Sequence, residues 1–124
     1  MRLIEKGDPY RDQIEANVRA LKAMLIDEGM VFAATQLAYQ SKVGNAAWLE
    51  PNLADCLRRS SHRHVVIAPL SFTIDNSETL FELEIEHREI ARAIGYRDYR
   101  VAACPNDAND FVEFIARKIE ATYA

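Results

Sequence analysis

Five carboxylates, Asp75, Glu78, Glu82, Glu84 and Glu86, fall within residues 71–87, which read SFTIDNSETLFELEIEH. Glu78, Glu82 and Glu86 stand four apart. On a helix, residues at that spacing lie above one another along one side. Like charges so placed cost about a few tenths of a kcal/mol per pair. A row of hard oxygen ligands offsets that cost when it holds a divalent cation or hands one along. The same spacing also describes a solvated acidic face, with Leu80, Leu83, Ile90, Ala91 and Ile94 as the opposite, core-facing stripe. Spacing alone leaves both readings open.

These acids need elements to position them. The run His64-Val65-Val66-Ile67-Ala68-Pro69-Leu70 predicts a buried strand, taken over residues 64–72. Residues 77–94 predict the acidic helix, with Gly95 as its stop. In open α/β sheets, ligands bind beyond the carboxyl ends of strands, so the acids stand where a site would form. His87 falls on the core-facing stripe and reads as a structural histidine.

Upstream, Asp8 suits an N-cap and Pro9 the first helical position. Ile14, Val18, Leu21 and Leu25 then repeat at helical spacing up to Gly29. Residues 31–40 read as a central parallel strand. Gln40, Ser41 and Lys42 follow at its carboxyl end, where Gly44 permits a sharp turn. Residues 52–60 predict a short helix carrying Leu53, Cys56 and Leu57 inward. The basic tract from Arg58 to His64 reads as the solvated end of that helix, where cations suit the dipole. Tyr99 to Cys104 predicts a third strand. Asp107 then caps a last amphipathic helix with Phe111, Phe114, Ile115 and Ile119 on one side. Alternating helices and strands predict one α/β domain over residues 1–124, with three layers, α/β/α, about a parallel sheet.

A chain of 124 residues is long enough for one real core. A net charge of -4 argues against nucleic acid as a main partner. No apolar run approaches the roughly 20 residues of a membrane span, so no transmembrane segment is expected. Residues 1–6 lack the pattern of a signal peptide. Two cysteines, Cys56 and Cys104, are too few for a disulfide framework and read as thiols in a reducing cytoplasm. No cysteine cluster supports an iron–sulfur centre. The expected location is cytoplasmic, with peripheral contact to a membrane allowed.

Three blocks of the chain resemble the C-terminal half of the ferrochelatase family. The first is Gly7-Asp8-Pro9-Tyr10, similar to the family's GDPY. The second is Tyr39-Gln40-Ser41-Lys42-Val43-Gly44 with Trp48-Leu49 and Pro51, similar to its QSKVG…WL…P pattern. The third is Ser71-Phe72-Thr73, Asp75, Glu78-Thr79-Leu80, Glu82-Leu83 and Ile85-Glu86. They occur in family order and at family spacing, over nearly the whole chain.

The resemblance implies a chelatase-like fold, half of a Rossmann-like pair, whose first strand is missing here. It implies insertion of ferrous iron into protoporphyrin IX to form haem, with Fe²⁺ as substrate and no prosthetic group. Glu78 would be the catalytic carboxylate at the ring face, in proton removal or metal delivery, together with the family's histidine that is absent here. Glu78, Glu82 and Glu86 would form the metal row, leading outward. Gln40, Ser41 and Trp48 would border the porphyrin. The family usually has His where this chain has Asn76. It also has a strand ending in His-Ser-Leu-Pro just before the segment that matches the start of this chain. That histidine faces the acidic helix across the porphyrin cleft.

On this reading the chain is one wall of a site and is inactive without the N-terminal half. It is either a piece of a longer enzyme or the product of a shortened gene. A sheet short of one strand exposes an edge and an apolar patch, so dimerisation or poor solubility is expected. Two other functions compete. One is a small homodimeric chelatase acting on another tetrapyrrole. The other is a non-catalytic metal- or haem-binding module.

Overall fold

A computed structural model of the chain describes residues 7–40 and 49–123. Helix α1 spans Tyr10–Asp27. Asp8 starts it, its carboxylate accepting from the Tyr10 amide at 2.9 Å, while the Pro9 carbonyl accepts the first helical bond from Gln13 at 2.9 Å. Gly29, at φ 75°, stops it. The Gly29 amide bonds back to Ile26 and the Met30 amide to Leu25, so the last carbonyls keep partners. Ile14 and Val18 are its buried residues.

Helix α2 spans Leu53–Arg59. The Asn52 side chain caps it, accepting from the amides of Ala54 and Asp55. Strand β1 spans His64–Ile67 and strand β2 Asp98–Val101. They pair in parallel, His64 opposite Asp98 through Ile67 opposite Val101. Between them run a π-helix, Glu78–Glu86, and helix α3, His87–Ile94. Helix α4, Asn109–Tyr123, ends the described chain. The molecule is therefore α/β with a parallel sheet, as the alternation of elements predicts.

Three expectations need correction. Residues 31–40 form no strand, apart from an isolated bridge between Tyr39 and Asn52. There the Tyr39 amide donates to the Pro51 carbonyl and the Leu53 amide to the Tyr39 carbonyl. The segment is apolar, yet Val31 is 92% exposed, because no edge of the β1–β2 pair reaches it. Strand β1 is shorter and less buried than its composition suggests. Its residues alternate between exposed and half-buried, and Val66 is 53% exposed, because only one face of the sheet is covered. Lastly, the acidic helix is not α throughout: its first nine residues bond i→i+5.

The larger core joins Leu53 and Leu57 of α2, Leu83 of the π-helix, Ala91 of α3 and Tyr99 of β2. A smaller one joins Ile14, Tyr39 and Leu49. Of the expected acidic-helix stripe, Leu83 and Ala91 are fully buried and Ile90 and Ile94 half-buried, but Leu80 is 54% exposed. The wider turn rotates it out of the stripe that α spacing would give it. Among the described residues, no helix is long and apolar enough to cross a membrane.

Candidate functional site

The acid row lies on the π-helix. Where bonds run i→i+5, residues four apart fall slightly short of one full turn. Glu78, Glu82 and Glu86 therefore keep to one side of the helix and drift slowly around it. Glu78 and Glu86 are exposed and Glu82 is half-buried. Glu84 takes no part in the row. Its carboxylate is paired with the Arg88 guanidinium, which also donates to the Tyr99 carbonyl at 2.8 Å and lies over the Tyr99 ring. Among the described residues, no three His, Cys, Asp or Glu side chains converge around one point as a cage for an ion. The row is an open series of carboxylates along a surface.

Near the end of the π-helix three successive carbonyls accept side-chain donors. Glu82 O accepts from the His87 ring at 2.6 Å as well as from the His87 amide. Leu83 O accepts from the Tyr99 hydroxyl at 2.6 Å. Glu84 O accepts from Arg88 Nε at 3.0 Å. Side-chain donors inserted at a helix ladder are a common cause of its local widening. His87 is thus the structural histidine its stripe position predicts. Facing a carbonyl, its Nδ1 carries the proton.

The first turn of the π-helix is fixed from both ends of the sequence. The Asn76 side chain accepts from the amides of Glu78 at 2.8 Å and Thr79 at 3.3 Å. In return the Asn76 amide donates to the Thr79 hydroxyl at 2.9 Å. This reciprocal arrangement is a capping box in which Thr takes the place of Glu. Asn76 therefore serves as the helix cap, the role its residue type favours. This role is not anticipated from the sequence, where Asn76 is set only against the family's usual His. Asp75 accepts from Asn106, from the Cys104 amide and from Thr79. These donors, Asn106 foremost and then Cys104, hold the Asp75 carboxyl below the usual carboxylate range. The Cys104 thiol is pushed up to about 11, first by burial and then by Asp75. Both cysteines are free thiols, Cys104 buried and Cys56 half-buried.

Of the residues expected to border a macrocycle, Gln40 sits half-buried directly after the Tyr39–Asn52 bridge. Ser41 and Trp48 lie outside the described residues. A contact that the sequence did not signal joins two separate motif blocks: the Tyr10 and Ser71 hydroxyls bond at 2.8 Å. That bond ties the start of α1 to the turn that leads into the acid row. The basic tract is a solvated helix end. Arg58 pairs with Asp55, and Arg63 donates to the Ser60 and His62 carbonyls and stacks on Tyr96.

Two cavities open elsewhere. One of about 450 Å³ is lined by Ala103, Pro105, Ala108, Asp110 and Phe111. The other, of about 280 Å³, lies among Gln36, Cys56, Arg59 and His62. Neither of these two is lined by Glu78, Glu82 or Glu86.

The sequence of the chain is similar to those of known proteins. The ferrochelatase family profile matches residues 1–123. A ferrochelatase of Sulfurimonas denitrificans is 50% identical over 113 residues, which cover 91% of this chain and 36% of that protein. A ferrochelatase of Wolinella succinogenes is 44% identical over 117 residues, covering 94% of this chain and 37% of that protein. A ferrochelatase of Helicobacter pylori strain 26695 is 37% identical over 118 residues, covering 95% and 35%. The chain spans about a third of the length of the curated relatives it matches.

Proposed function

The chain belongs to the ferrochelatase family, and from that premise we propose that it supplies one wall of a site that inserts ferrous iron into protoporphyrin IX. The observation that carries this reading is the acid row. A family-matching segment sets three carboxylates along one side of a π-helix, the next element after a parallel strand, with Glu78 and Glu86 exposed and Glu82 half-buried. π-Helical turns occur frequently at functional sites.

Metal insertion needs the ring bent, two N–H protons removed and a metal stripped of its water. Glu78 acts at the ring face, taking a proton or presenting the metal. Glu82 and Glu86 carry cations or protons along the row, their oxygens suiting a hard divalent ion. Gln40, Ser41 and Trp48 border the macrocycle, where an aromatic face meets a flat ligand. The second wall comes from the rest of a full-length relative, about two-thirds of whose length this chain does not span. A second copy of this chain is the competing source.

The test is an anaerobic insertion assay with a soluble porphyrin and Fe²⁺ or Zn²⁺, followed by absorbance. The chain alone is expected to be silent. Addition of the N-terminal half of a full-length relative is expected to restore turnover, and Glu78→Gln to abolish it. Turnover by the chain alone would refute the single-wall reading in favour of a self-assembled dimer. Silence in the mixture would refute the reading as one wall of a porphyrin-metallating site.

A further inference from the structure

Asn106 stands in the turn after β2 with φ at 52°, the only non-glycine residue among those described with a positive φ. Asn tolerates that region better than most residues, but the conformation is sparsely occupied and persists where the surroundings demand it. Here the demand is visible. Asn106 Nδ2 donates to the Asp75 carboxylate at 2.9 Å, and Asn106 Oδ1 accepts from the Asp75 amide at 2.9 Å. The Asn106 amide donates to the Thr73 carbonyl at 2.8 Å. Three bonds therefore join this turn to residues 73–75, far away in the sequence.

The other Asp75 oxygen accepts from the Cys104 amide at 3.3 Å and lies 3.4 Å from the Thr79 hydroxyl, whose one proton it shares with the Asn76 carbonyl at 3.1 Å. Thr79 is 1% exposed and immediately follows Glu78. A continuous path of contacts thus runs from Asn106 through Asp75 and Thr79 to the helical turn that carries Glu78. A carboxylate at a helix start also suits the dipole. Ligand rows work only when their members are held to a fraction of an ångström by such supporting bonds.

We propose that Asn106 is a positioning residue for the acid row, holding Glu78 in place through Asp75 and Thr79. The proposal rests on the row being a cation path, as read above. It makes the turn between β2 and α4 part of the site, although no residue of that turn belongs to the acid row.

The test compares the wild-type chain with Asn106→Gly, Glu78→Gln and the double exchange Asp75→Asn/Asn106→Asp. Glycine accepts the positive φ and deletes both side-chain bonds, so backbone strain is not added. The double exchange swaps donor and acceptor and lets the pair re-form. Amide hydrogen exchange over residues 75–80 and calorimetric titration with Zn²⁺ are read together. Only the part of Zn²⁺ binding that Glu78→Gln removes is counted.

Asn106→Gly is expected to speed exchange at the Glu78 and Thr79 amides and to weaken that Zn²⁺ binding, each by about tenfold, the scale of one lost hydrogen bond. Exchange in β1 and β2 should stay as in the wild type, and the double exchange should restore both readouts. Unchanged exchange in Asn106→Gly overturns the proposal, as does faster exchange with unchanged Zn²⁺ affinity. If Glu78→Gln removes no Zn²⁺ binding, the cation-path reading fails on its own account. Rescue of exchange by the swapped pair then upholds the clamp, and lack of rescue overturns it.

Discussion

Tyr99 shows how much of the site is decided by single side chains. Its hydroxyl reaches the Leu83 carbonyl inside the π-helix, and its ring carries the Arg88 guanidinium at 5.0 Å. Burial, only partly opposed by Arg88, pushes its ionisation from 10.0 up to about 12. Below about pH 10 the tyrosine is neutral in the folded and unfolded chains alike. Between about 10 and 12 the unfolded chain ionises first, so stability present below that window is lost as pH rises through it. Tyr99→Phe is expected to destabilise the fold by about 1 kcal/mol at neutral pH and to flatten this alkaline loss. Denaturation midpoints across the pH range measure both effects. Little of this was legible beforehand. Tyr99 reads as a strand residue, and its partner carbonyl lies 16 residues away. His87 was legible because its donor and acceptor share one helix.

At the scale of elements, helix ends were read well and helix type was not. Gly29 and Gly95 stop α1 and α3 where the sequence places the stops, since a positive φ is a local demand that glycine meets. Gly95 stands at φ 107°, its amide bonded to the carbonyls of Ala91 and Arg92. A Cβ there would meet nothing within 4 Å, so any cost of Gly95→Ala is backbone strain alone. That substitution is expected to lower stability by about 1–2 kcal/mol, seen as a lower denaturant midpoint with unchanged slope. The π-helix was illegible, because beside the local His87 and Arg88 donors its Leu83 carbonyl takes the Tyr99 hydroxyl from β2. Residues 31–40 failed for the same kind of reason. An apolar, extended-prone run becomes a strand only where a neighbour offers a ladder.

At the scale of the whole molecule, much apolar surface is exposed among the described residues. Val66 lies on the bare face of the sheet, Phe32 and Val31 follow α1, and Val112, Phe114, Ile115 and Ile119 line α4, which buries no residue fully. Patches of this kind mark surfaces that other protein covers. The chain is expected to associate at micromolar concentration, giving a dimer or larger species in sizing with light scattering. Ile115→Glu/Ile119→Glu is expected to reduce that association with helicity unchanged, and a monodisperse wild-type monomer would count against it. Adding the N-terminal half of a relative should likewise suppress association if that half is what covers these faces.

Local patterns sufficed to place the acid row after β1, to set the ends of α1 and α3, and to indicate a parallel α/β chain in the ferrochelatase family. Each of those features depends on neighbours in sequence: periodicity, a cap, or a motif at fixed spacing. Tertiary structure alone decided that the acidic helix is wound wide, that Asp75 is clamped by Asn106, and that one sheet face stays bare. Those features depend on groups brought together across the chain, where an outside donor's reach or a missing neighbour overrides what the local residues prefer.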